Sequence, residues 1–162
     1  MALRILYPGD RNTLSTLAAG AFTRQNFGAA GGTSTRITED TPDGALGGMV
    51  AKYSGNYEVD VSDNYTAVGI FINDAAGSPF ENTPAVASGK SPMMTSHGSY
   101  ETDVYETRNE ADGADVTYAA GDKLYVSDFG LLTTEAVSDL VGIVAKAPSA
   151  TDPFLGFDSA LV

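Results

Sequence analysis

From residue 57 to residue 144 the chain is a succession of short apolar runs separated by turn residues. Tyr57-Glu58-Val59-Asp60-Val61 alternates polar and apolar, the period of a strand with one buried face. Tyr65 to Ile72 is a nearly continuous β-forming run, closed by Asn73-Asp74 and Gly77-Ser78-Pro79. Residues 77–92, with Pro79, Pro84 and Pro92, predict a loop. Ser99 to Thr107 alternates again before the acidic turn Asn109 to Gly113, and Val116-Thr117-Tyr118 predicts one more short strand. The clearest unit is Gly121 to Val144. There Gly-Asp leads into Leu124-Tyr125-Val126, Asp128-Phe129-Gly130 reverses it, Leu131 to Thr134 runs back, and Leu140 to Val144 adds a third run. This spacing predicts a β-meander. Phe154, Leu155, Phe157 and Leu161 make the tail a segment that packs down. The whole predicts an all-β fold, a small β-sandwich or β-barrel with the meander near its C-terminus.

The first 48 residues read differently. Gly28-Ala29-Ala30-Gly31-Gly32, the Ser/Thr-rich stretch 33–38 and the turn-rich stretch 39–48 carry too much glycine to order cheaply without a partner surface. One helical island is predicted, capped by Asn12 or Thr13, with Leu14, Leu17, Ala18 and Ala21 on one face. The division expected is therefore an extended N-terminal arm and loop region over 1–48 and a β-rich domain over 49–162. An ordinary long loop packed on its own domain is the other reading of 1–48. Val68-Gly69-Ile70 and Val141-Gly142-Ile143 each place a glycine inside an apolar strand, which predicts a bulge or a close backbone approach.

Charge sharpens that division. The net charge is −12, yet residues 1–36 hold four arginines against Asp10 alone, a net of +3. Residues 37–162 hold five basic and twenty acidic residues, a net of −15. An acidic body repels phosphate backbones, so nucleic acid is not an expected partner. A basic segment on such a body suggests docking onto something acidic, a second copy included; four solvated arginines are the alternative. No apolar run approaches the ~20 residues of a membrane span, and the N-terminal apolar patch is cut off by Pro8-Gly9. A soluble, cytoplasmically made protein with no membrane partner is the expectation. With no cysteine in 162 residues, thiol catalysis and Cys-ligated metals are excluded.

Candidate chemistry is sparse. His97 is the sole histidine, and Ser96 or Ser99 could complete a triad only without a nucleophile-elbow motif. Gly89-Lys90-Ser91 resembles the end of a P-loop, but Pro84 stands where that motif needs glycine. The Gly28–Gly32 cluster lacks the strand and helix of a dinucleotide site. Glu110, Asp112 and Asp115 fit only a loose calcium site, because Arg108 and Ala119 occupy the outer EF-hand positions. Glu58 with Asp60, and Glu101 with Asp103, each share a strand face, a geometry open to a glycosidase pair or to solvated acids. The expectation is a protein that is not an enzyme and has no cofactor and no metal site.

The GDKLYVSDFGLLTT unit, the following LVGIVAKAP and the earlier TAVGIFIND resemble the capsid decoration (cement) proteins of tailed bacteriophages. The likeness is sharpest over 119–148. It implies a virion structural protein on the outer capsid surface, binding the major capsid protein lattice and stabilising the head. It implies a trimer or other small homo-oligomer, made in the host cytoplasm. Under that resemblance the capsid-binding arm would use Leu3, Ile5, Leu6 and Tyr7 as apolar anchors, and Arg4, Arg11, Arg24 and Arg36 as ion-pair partners. A tail-tube or head–tail connector subunit, a carbohydrate-binding β-sandwich and an enzyme of another type remain as alternatives.

Overall fold

The computed structural model describes residues 3–7, 12–17, 44–55, 58–62, 66–72, 75–76, 90–95, 97–109, 113–136 and 139–161. These residues are all-β, with thirteen strands and no helix. In chain order they are β1 (Leu3–Tyr7), β2 (Asn12–Leu17), β3 (Gly44–Ala45), β4 (Val50–Gly55), β5 (Glu58–Val61), β6 (Gly69–Phe71) and β7 (Ala75–Ala76). There follow β8 (Lys90–Met94), β9 (Ser99–Thr102), β10 (Lys123–Val126), β11 (Leu132–Thr133), β12 (Gly142–Lys146) and β13 (Leu155–Ser159).

Six strands form one antiparallel sheet in the order β1-β9-β13-β12-β10-β11. Five others pair in a cycle, β2-β5-β4-β6-β8, with β8 returning to β2; only β2 and β5 run parallel. β3 and β7 make a separate two-residue pair. In the sheet, Leu124, Val126, Val144, Leu155, Phe157 and Tyr100 are buried, while Lys123, Ile143 and Asp158 are exposed, so one face is core and the other is surface.

The ring and the sheet share a wall. On β4, β6 and β8, successive residues enter different apolar clusters. Ala51, Phe71 and Met93 join Val59, Val61 and Leu46 inside the ring. Their neighbours Val50, Ile70 and Met94 pack with Tyr100, Leu124, Phe157 and Leu155 of the sheet. Both faces are buried at Val50–Ala51, Gly69–Phe71 and Met93–Met94, although β4 emerges at Tyr53, which is exposed; β6, buried at every position, reads as a continuous apolar run rather than an alternation.

The Asp128-Phe129-Gly130 turn ties the two bodies together. Gly130 has φ of 73°, and its carbonyl accepts a hydrogen bond from Val50 N at 2.8 Å. A Cβ at this position would strike Val61 Cγ1 and lie 2.8 Å from the Ser62 carbonyl. Leu131 then enters the ring core and Leu132 the sheet core. The three predicted runs are strands β10, β11 and β12, but they do not form the expected meander: β10 and β11 make a hairpin, and β12 skips β11 to pair with β10 on its other side, where Lys123 and Leu124 lie opposite Ile143 and Gly142. The expected close approach at both Val-Gly-Ile glycines is present: a Cβ at Gly69 would meet the Met94 carbonyl at 3.0 Å, and one at Gly142 would run into Asp158.

Several local expectations are corrected. The helical island is instead strand β2 over residues 12–17; pairing with β8 and β5 outweighs a weak local preference in a segment containing Thr13, Ser15 and Thr16. The end of the predicted proline loop is strand β8. Pro92, which has no N–H to donate, pairs with Leu14, and β6 pairs only with Met93 and Met94, so the proline lies beyond that ladder. Val116–Tyr118 forms no strand, its backbone being held by Val116 N donating to the Thr107 carbonyl. The packed tail is strand β13, central in the sheet. Of the first 48 residues, β1 belongs to the sheet, β2 to the ring, and Ala45 and Leu46 to the ring core. Residues 18–43 lie outside the described residues.

Candidate functional site

Polar side chains gather in two places, one on the open face of the sheet and one at the end of the β9–β11 region. On the open face, Arg4, Glu101, Gly156 and Lys146 stand opposite one another on four neighbouring strands. Gly156 carries no side chain, and across it Lys146 Nζ donates to Glu101 Oε1. The same ammonium donates to Asp152 Oδ2 at 2.9 Å. From the other side Arg4 Nη1 donates to Glu101 Oε2 at 3.4 Å, and its guanidinium lies 3.3 Å from the Phe154 ring centroid. Hydrogen bonding to Glu101 and then to Asp152 raises the Lys146 pKa, and the Lys146 ammonium lowers that of Asp152. Each of these groups is partly exposed, so the strip is a set of screened surface pairs, of which Arg4–Glu101 ties β1 to β9 and Lys146–Glu101 ties β12 to β9.

The second place is a cleft of about 400 Å³ bounded by Tyr105, Thr107, Val116, Thr117, Tyr118 and the 148–150 segment. Tyr105 and Tyr118 meet edge to face, with centroids 5.3 Å apart. Their hydroxyls are committed. Tyr105 donates to the Pro153 carbonyl at 3.0 Å, and Tyr118 reaches the Glu106 and Leu132 carbonyls. Burial raises the Tyr118 pKa, with the Glu106 charge second. The lining is uncharged, offering ring surface and the hydroxyls of Thr107, Thr117 and Ser149.

Behind the cleft sits Glu106, 1% exposed. Burial pushes its pKa up to about 7; a hydrogen bond from Thr133 opposes this, while the charges of Glu135 and then Asp128 add to it. The carboxyl therefore holds a proton close to neutral pH, but it does not line the cleft and is a buried structural acid.

Of the sequence-predicted arm residues, Arg4 is in the charged strip and Leu3 is half-buried against the sheet core. Ile5, Leu6 and Tyr7 complete β1, and Arg11, Arg24 and Arg36 lie outside the described residues. Glu101 is an ion-pair hub, and Asp115 pairs with Arg108 at 3.7 Å. Ser99 donates to Asp158, whereas His97 Nδ1 lies 3.1 Å from the Ser159 carbonyl, so these two side chains turn to different partners. Ser96, Glu110 and Asp112 lie outside the described residues. Among the described residues no three acids or histidines are grouped to hold a metal. Sequence reasoning missed Glu106, although a signal existed. Tyr100, Thr102, Val104 and Glu106 are alternate residues and all are buried, but strand β9 ends at Thr102 and Tyr105 is buried as well, so the period marks Glu106 only in part.

No family model matches this chain, and no curated protein matches it.

Proposed function

We propose that the chain is a non-enzymatic structural protein of a tailed-phage virion, which binds the outer surface of the major capsid protein lattice and stabilises the head. The observation that carries the structural half of this reading is the commitment of its polar side chains. Glu101, Lys146, Asp152, Ser99, Tyr105 and Tyr118 are each engaged by another group of the fold. The partner half rests on the resemblance of residues 119–148 and on the contrast between a basic N-terminal stretch and an acidic body. Many identical weak contacts over a lattice sum to firm attachment.

In this reading Arg11, Arg24 and Arg36 contact acidic groups of the lattice, while Arg4 serves to hold β1. Removing residues 1–36 would also remove β1 and β2 from their pairings, so substitution is the cleaner test. The experiment is co-sedimentation of the protein with expanded phage heads, for the wild type and for the Arg11→Glu/Arg24→Glu/Arg36→Glu variant. Saturable wild-type binding at a fixed ratio to capsid subunits, lost in the variant, supports the reading. No binding overturns it, and spontaneous rings or tubes would assign the protein to the tail instead. A second reading, carbohydrate binding, is favoured by the uncharged Tyr- and Thr-lined cleft. A sugar-dependent rise in melting temperature would support that one.

A further inference from the structure

The open face of the six-stranded sheet carries an exposed apolar side chain between opposite charges. Ile143 on β12 is 45% exposed. Its partners across the two ladders are Lys123 on β10 and Asp158 on β13, both exposed. Directly opposed residues of antiparallel strands project from the same face, so the three form a row of positive, apolar and negative. Leu140, shortly upstream, is 41% exposed. Arg4, Arg108 and Lys146 all lie in ion pairs, whereas no described acid lies within ion-pair distance of Lys123.

We propose that this face is a self-association surface, on which a second copy of the chain packs about a two-fold axis running along β12. Rotation about that axis exchanges the two sides of β12. It brings Lys123 of each copy against Asp158 of the other and sets the two Ile143 side chains together. An isologous interface requires a patch that is complementary to itself, and this row has that property along one direction only. An axis across the strands would place Lys123 on Lys123 and Asp158 on Asp158. Neighbouring strands are ~4.8 Å apart, so each Lys–Asp pair lies one strand from the axis.

The size of the face sets the strength. Four strands of four to five residues and the two-residue β11 cover roughly 300 Å², below the ~800 Å² per partner of a standard stable interface. The contact is therefore weak in dilute solution and becomes populated where copies are held close together. It does not rest on the capsid reading, because the complementarity is internal to this chain.

The test is a sedimentation-velocity series on the full chain up to about 1 mM, the range of weak complexes. It includes Lys123→Glu, Ile143→Lys, Asp158→Lys and the Lys123→Glu/Asp158→Lys double variant, with circular dichroism to verify that each is folded. The wild type should shift from monomer to dimer, and each single substitution should weaken the dimer at least tenfold. The double variant restores the complementary order with signs reversed, so it should recover association. A wild type that stays monomeric throughout, a dimer or larger oligomer indifferent to Ile143→Lys, or a folded double variant that fails to recover would each overturn the proposal.

Discussion

The wall of β4, β6 and β8 and the sheet of β9, β13, β12 and β10 are built from similar residues but behave as different materials. Where its three strands meet, the wall is buried on both sides, with Phe71 and Met93 facing the ring and Ile70 and Met94 facing the sheet. The sheet is buried on one side, and its other side carries Lys123, Ile143, Glu101 and Asp158. Side chains in the wall have no solvent to relax into, so a change there creates a cavity or a clash. On the open face most neighbours of a side chain are water, and a change costs little. Stability is concentrated in the wall, and the open face is left available for contact.

The largest effect should come from the wall. Phe71→Ala removes a fully buried ring and should cost about 3–5 kcal/mol, read as a shift in urea midpoint. Because the wall serves both cores, fluorescence and far-UV dichroism should lose their signals together. Two separate transitions would break the idea of a shared wall.

Gly130→Ala tests the turn that joins the bodies. Its positive φ and the Val61 side chain make a penalty of about 3 kcal/mol the expected outcome. An unchanged midpoint would show that the turn can move away from the ring without loss.

Glu106→Gln sharpens the comparison by showing what a charge costs at a fully buried position. Below pH 4.5 the acid is protonated in both folded and unfolded chains, so the substitution should leave stability unchanged. As pH rises toward 7 the unfolded chain releases a proton that the folded one retains, and the native protein loses stability. Above pH 7 the Gln variant should be the more stable, by up to about 3 kcal/mol. Denaturation of both proteins at pH 4 and pH 8 would show it; an equal difference at both values would refute the assignment.

The smallest effect belongs to the open face. Arg4→Ala removes one exposed ion pair and a contact on Phe154, and should cost about 1 kcal/mol or less. Hydrogen exchange should then quicken in β1 while the amides of β6 remain protected. A loss as large as that of Phe71→Ala would mean that the charged strip carries the fold.

How far each region was legible follows from the same contrast. The one-sided strands show a period of two, so Ser99 to Thr107 and the Gly121 to Val144 unit could be read as strands and turns. Tyr65 to Ile72 could be read as β-forming, but not which residue faces which core, because a two-sided strand has no alternation to read. β2 and β8 were missed because serine-, threonine- and proline-bearing segments have weak local preferences, and their pairing partners lie far away in sequence. The candidate site was less legible than the fold. Nothing local announces that Lys146 reaches Glu101 across Gly156, since 45 residues separate the two.

The amino-acid sequence by itself determined that the described residues are all-β, that the chain turns at Asp128-Phe129-Gly130, and that a basic N-terminal stretch precedes an acidic body. These properties depend on neighbours along the chain: side-chain period, turn chemistry and charge. Tertiary structure alone decided the closed five-strand cycle, the wall shared between two cores, the raised pKa of Glu106 and the row of Lys123, Ile143 and Asp158. Each of these depends on strands that meet across long sequence separations, where burial and register, rather than local preference, set the energy.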